Sequence, residues 1–194
     1  MNNLTGRQKE IIEASIDIIS KKGIQNLTIK NLSKKIGFSE PAIYRHFESK
    51  VGILLTILSR FESQIRKSKI LVNSEANSAL KQLDLIFKNQ FNNFSKNPAL
   101  ASVVFAEEIF QNDRRLSEKI YSIMDFNFEL ILSIIKSGQR NGEIRSDIEA
   151  DQLVLIIMGS LRLIIKKWKK SEYSFNLRKD GEKLWKSINT MISI

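Results

Sequence analysis

The chain has no cysteine, two prolines, one histidine and no apolar run long enough to span a bilayer. Without cysteine there is neither a disulfide framework nor a thiolate metal site, and a reducing cytoplasm is the simplest home. A single histidine, His46, rules out a histidine metal cluster and leaves no second position for an oriented catalytic imidazole, so no metal, cofactor or enzymatic activity is expected. The strongest apolar stretch, Leu153 to Ile165, is about 13 residues and carries Arg162, against the roughly 20 that a membrane helix needs. It reads as a buried helix, and no membrane partner is expected. The opening MNNLTGRQKE lacks the apolar core of a signal peptide. No segment alternates with period two and none repeats, so the chain reads as all-α with about nine helices.

What is present is a sizeable potential core and an uneven charge. The chain has 194 residues, 42% of them hydrophobic, and a formal net charge of +10. Residues 1–72 carry 13 Lys and Arg against 6 Asp and Glu, whereas the remainder carries 18 against 15. A basic N-terminal region on a nearly balanced body is the footprint of phosphate binding at one end. The competing reading is compositional, since the whole sequence is rich in Lys, Ile and Asn.

The segment Thr28 to Lys50, TIKNLSKKIGFSEPAIYRHFESK, gives that charge a purpose. Thr28 can cap a short helix whose apolar positions Ile29, Leu32 and Ile36 share one face, and Gly37 can end it in the left-handed conformation. Ser39 then caps a second short helix with Pro41 in its first turn. Two short helices across a glycine turn make a helix-turn-helix, whose second helix enters the major groove N-terminus first. Ser39, Glu40, Pro41, Ala42 and Arg45 are the candidates for base edges. Tyr44, His46 and Lys50 sit where phosphates pass, with Thr28 and Lys30 adding contacts from the start of the first helix. Several roles stay open: Thr28 as cap or phosphate contact, Arg45 on guanine or along the backbone, Glu40 on cytosine or as a first-turn acid favoured by the helix dipole. Tyr44 is expected to seal the head's core with its ring while its hydroxyl faces a phosphate.

In front of this segment, Thr5-Gly6-Arg7-Gln8 has the form of a capping box, and Ile11, Ile12, Ala14, Ile18 and Ile19 mark a helix ending at Gly23. Its start, with Arg7 and Lys9, is expected near the DNA backbone. Together, Arg7, this stripe, Gly23, Thr28-Ile29, Leu32, Gly37-Phe38-Ser39, Ala42-Ile43-Tyr44, His46-Phe47 and Ser49-Lys50 resemble the N-terminal domain of the tetracycline-repressor (TetR) family of bacterial transcription regulators. Ser33, Phe38 and Pro41 depart from the usual alanine, valine and glycine of that pattern, and Glu40 with Pro41 bears on which bases are read.

After Lys50, the positions Val51, Leu54, Leu55, Leu58, Phe61, Ile65 and Leu71 or Val72 keep one helical face for more than five turns, and NSEANS at 73–78 breaks it. The resemblance implies that residues 51–72 connect a DNA-binding domain at 1–50 to an effector-binding and dimerisation domain within 51–194. Further helices follow: Leu80 to Lys96, Ala99 to Phe110, one from about Leu116 closed by Gly138 and Asn141-Gly142, one capped by Asp147 through Lys170, and Leu177 to Ile192. The body's aromatic set is either core or the lining of an apolar effector pocket. Candidates for such a pocket are Phe87, Phe91, Phe94, Phe105, Glu108, Met124, Phe128, Met158 and Arg162. Glu107 and Glu108 are adjacent on a helix, about 100° apart, so they do not face each other as a catalytic pair. Arg162 anchors a ligand or forms an interface ion pair.

The family resemblance implies a homodimer joined through the last two helices, reading a near-palindromic operator on double-stranded DNA in a bacterial or archaeal cytoplasm. The fainter resemblance of the body to the fatty-acid-responsive branch implies a small apolar or fatty-acyl effector that releases a repressor. The alternative is an architectural or cell-division DNA-binding protein of the same fold, controlled by a protein partner.

Overall fold

The computed structural model describes residues 4–75, 78–106 and 113–194, with only the backbone described for 68–75. Among these residues there are nine α-helices, one 3-10 turn and no strand beyond an isolated bridge between Ile144 and Ser193. No described helix is long and apolar enough to cross a membrane. The chain packs as two units, residues 1–62 with 98–121 and residues 63–97 with 122–194.

The first unit begins with α1, Gly6–Lys22, a 3-10 turn at Ile24–Asn26, α2 at Ile29–Ile36 and α3 at Glu40–Tyr44. It also takes the first half of α4, Lys50–Glu75, all of α6, Pro98–Val104, and the opening turns of α7, Arg114–Arg140. The periodic isoleucines of α1 make its core: Ile11, Ile12 and Ile19 are at most 1% exposed, and Leu27, Leu32 and Ile43 of the elements that follow are equally buried. Burying each such side chain contributes about 1.5–3 kcal/mol. Ser15 is a polar member of this core and spends its hydroxyl on the Ile11 carbonyl at 2.7 Å. Helix α6 opens on Pro98, whose missing N–H costs nothing at a first turn. It ends at Val104, short of the expected Phe110, with 107–112 outside the described residues.

The second unit comprises the rest of α4 and α7 with α5 (Ala79–Lys96), α8 (Ala150–Lys170) and α9 (Leu177–Ile192). Helix α5 packs along α9 at close range because Gly181 has no side chain: a Cβ there would meet the Phe91 ring at 2.4 Å. Three boundaries differ from expectation. Helix α4 runs on to Glu75, through the first half of the expected break at 73–78. Gly138 lies inside α7 rather than closing it, and its bare backbone lets Ala79 and Ile144 approach; Gly142, at φ 70°, makes the turn. Asp147 does not cap α8, which starts at Ala150 behind Glu149. Its carboxylate instead accepts both forks of Arg145, at 2.7 and 2.5 Å, an arrangement that holds the Asp147 carboxyl below the usual range.

Candidate nucleic-acid interface

The local structure of the head follows its caps. Thr5 Oγ1 accepts from the Gln8 N–H at 3.2 Å while Gln8 Oε1 accepts from the Thr5 N–H at 3.0 Å, a reciprocal capping box. Thr28 Oγ1 accepts from Asn31 N–H at 3.0 Å and starts α2; Gly37, at φ 73° and ψ 17°, ends it. That left-handed residue turns the chain so that Ser39 can accept from Ala42 N–H at 3.3 Å and start α3. Ile43, fully buried, fastens α3 to the core, and Phe47, 7% exposed, fastens the turn behind it.

Around Ile43 the rest of α3 is outward. Ser39, Glu40, Pro41, Tyr44 and Arg45 are exposed and Ala42 is half-buried. Tyr44 is 49% exposed, so its ring does not seal the core as expected; Ile43 and Phe47 do that, which leaves both ring and hydroxyl of Tyr44 at the surface. Thr28 and Lys30 are exposed at the start of α2. His46 is half-buried, its N–H donating to the Ile43 carbonyl at 2.9 Å. Lys50 is also half-buried and its ammonium donates to the Ile24 carbonyl at 3.3 Å, while burial pushes its pKa below the ordinary lysine value. The surface thus offers hydroxyl, ammonium and guanidinium donors beside one carboxylate, the inventory that phosphates and base edges require.

The body residues are placed differently. Phe87 and Phe91 are 1% and 2% exposed in the α5–α9 core, with Phe87 4.8 Å from the Trp185 ring and 5.8 Å from Phe91. Phe94 is equally buried. Met124 is 37% exposed, and Phe128, Met158 and Arg162 are half-buried on α7 and α8. Phe105 is half-buried just after α6 in the first unit, and Glu107 and Glu108 lie outside the described residues. In the second unit Ile65, Ile86 and Leu130 with the amides of Asn89, Gln90, Asn93 and Asn127 line a cleft of about 20 Å³, room for a water molecule. No predicted pocket residue lines it.

Residues 11–57 match the family model described as bacterial regulatory proteins of the tetR family, and residues 57–190 match the YsiA-like protein C-terminal region. The chain belongs to the TetR family. It is 28% identical over 195 residues to the nucleoid occlusion factor SlmA of Glaesserella parasuis, covering 95% of this chain and 92% of that one. Its fold is similar to that of the fatty acid degradation regulator FadR from Bacillus halodurans, with a TM-score of 0.84 at 18% identity, covering 97% of each chain. It is also similar to the transcriptional regulator FadR from Bacillus subtilis, solved in complex with stearoyl-CoA, with a TM-score of 0.80 at 21% identity over 94% of this chain and 97% of that one.

Within this TetR-family head, three contacts made by residues the sequence had already marked, Gln8, Arg7 and Ser33, were not legible from it. Gln8, beyond its capping role, donates to the His46 carbonyl at 3.4 Å and so ties the start of α1 to the turn after α3. Arg7 lies over the Phe38 ring, 4.7 Å from its centroid, while pairing with Glu10 at 2.8 Å. Ser33 donates to the Phe38 carbonyl at 2.6 Å. Their partners are distant in sequence or defined only by the turn, so no local periodicity marks them.

Proposed function

We propose that the chain is a homodimeric transcriptional repressor whose α3 reads operator DNA from the major groove. The observation that carries this reading is the outward surface of α3 and of the start of α2, held rigidly over a sealed core. Ser39, Glu40, Pro41, Ala42 and Arg45 meet base edges, and Thr28, Lys30, Tyr44, His46 and Lys50 meet the backbone. Residues 1–50 form the DNA-binding domain, 51–72 the connection, and the remainder of 51–194 the effector-binding and dimerisation domain. The setting is cytoplasmic, and no catalytic role is assigned.

Dimerisation through α8 and α9 is supported by what α8 leaves uncovered. Leu155 is 55% exposed and Leu163 69%, with Ile156 and Gly159 exposed between them. Such a stripe on one helix face suits a partner helix. On α9 the outer positions are mainly Arg178, Lys179, Glu182, Lys183 and Lys186, with Met191 the apolar exception. The two heads of a dimer then address half-sites about 34 Å apart.

A small apolar or acyl effector releases the repressor on this reading, in keeping with the stearoyl-CoA held by the B. subtilis neighbour. To switch the population it must prefer the released state by about 5 kcal/mol. A second reading, an architectural or cell-division DNA-binding protein controlled by a protein partner, is favoured by the nucleoid occlusion factor among the relatives. Retardation of the DNA upstream of the chain's own gene tests the repressor; a chain that leaves that DNA unretarded contradicts it. Native mass spectrometry separates the inputs: a retained acyl-sized mass supports the effector, and a bare dimer supports the partner.

A further inference from the structure

A groove of about 350 Å³ runs between the last turns of α1 and helix α2, lined by Lys21, Lys22, Lys34 and Lys35 with Asn31 and Asp17, over Ile18. Asp17 is the carboxylate of the set. It accepts from Lys35 at 2.5 Å and from Lys21 at 2.9 Å, and these two ammonium groups, Lys35 first, hold its carboxyl below the usual range. Lys22 and Lys34 are exposed and have no ion pair among the described residues. Four cations therefore converge with one anion, and the two unpaired ones face the groove.

The ordinary account is that lysines in the last turns of α1 and α2 offset the helix dipoles. That account explains one lysine pair at each helix end, but not their convergence on a single concave surface with an amide. Helix α2 links this surface to the reading head: Thr28 and Lys30 stand at its start, and Lys34 is six residues on, about 9 Å along the axis. That interval is close to the Debye length of about 8 Å at physiological salt, and a lysine side chain is long enough to carry its ammonium across part of it.

We propose that this groove is a second phosphate seat, in which Lys22 and Lys34 hold the DNA backbone outside the stretch read by α3, and Asp17 sets the strength of the seat by engaging Lys21 and Lys35. The occupant is duplex DNA, because the groove is open, cationic and continuous along α2 with the residues assigned to the backbone. The proposal rests on the DNA-binding reading of the head.

The test uses the full-length chain and a mixed-sequence duplex of about 30 base pairs, with binding followed as a function of salt. Each phosphate contact contributes about 0.9 to the slope of log K against log salt. K22A/K34A is expected to lower the slope by about 2 for each head engaged, about 4 for a dimer, relative to wild type, with an unchanged melting temperature. A control that removes the same charge from exposed positions of α5 and α7, K96A/K136A, is expected to leave the slope as it was. D17N is expected to tighten binding by roughly twofold to fivefold, the size of one exposed charge interaction, whereas structural damage lowers affinity. Equal loss of slope in both double variants, or no loss in K22A/K34A while wild type still binds, overturns the groove and leaves the head intact. A wild-type chain that binds no duplex even at low salt overturns both.

Discussion

Ser33 Oγ donates to the Phe38 carbonyl at 2.6 Å, across the Gly37 turn. The bond joins the last turn of α2 to the residue that precedes the Ser39 cap, so the direction in which α3 leaves the turn is fixed by a side chain of α2. It also accounts for a serine at a position where the family pattern carries alanine.

Removing that hydroxyl in Ser33→Ala leaves the half-buried Phe38 carbonyl without its partner. The expected cost is about 1 kcal/mol, read as a lower denaturant midpoint with unchanged slope. DNA binding weakens with it, because α3 loses a restraint on its angle.

In the second unit, Gly181→Ala drives a methyl group against the Phe91 ring, 2.4 Å from the ideal Cβ position. Overpacking of this kind costs about 1–3 kcal/mol. Thermal melting reports the loss, and Phe91→Leu in the same chain is expected to recover part of it, whereas an additive double variant contradicts the contact.

The pH dependence of the head follows from Asp17. Its carboxyl is held below the usual range by Lys35 and Lys21, so the folded state binds its proton less readily than the unfolded chain. The stability it contributes is present above the unfolded value of about 3.9 and is lost as pH falls through the lower folded value. Wild type is therefore expected to lose an advantage over D17N as the pH drops below about 4. A difference in denaturant midpoint between the two chains that stays constant from neutral pH to pH 3 contradicts this.

These contacts show what was legible in the sequence. Caps and periodic stripes are local, and they placed α1, α2, the Gly37 turn, α3 and α9 at or within a residue of their positions. Close approach is not local. Gly138 read as a helix end, but it is a gap that Ala79 and Ile144 fill from other elements. Asp147 read as a cap because an acidic residue precedes an apolar run, yet Arg145 two residues away competes for it and wins. The aromatic residues Phe87 and Phe91 were ambiguous between core and pocket, since burial depends on what α9 brings opposite them: Trp185 and Gly181. In the reading head, the sequence pattern named the outward residues of α3 but not the Gln8 bond to His46 that steadies them.

The dimer assignment makes its own prediction. Leu163→Glu places a charge at the most exposed position of the α8 stripe, its C-terminal end, where it leaves the subunit fold untouched and opposes pairing. Sedimentation at micromolar concentration is expected to change from dimer to monomer, with circular dichroism unchanged. A variant that remains fully dimeric moves the interface elsewhere.

The most direct measurement is selection of binding sites from a random duplex pool by the purified chain, with R45A selected in parallel. A near-palindromic site with half-sites about one helical turn apart is predicted, with relaxed preference in the R45A pool at the base pairs facing that residue. Enriched sites without two-fold symmetry, or identical preferences in the two pools, would contradict the claim that α3 reads the operator.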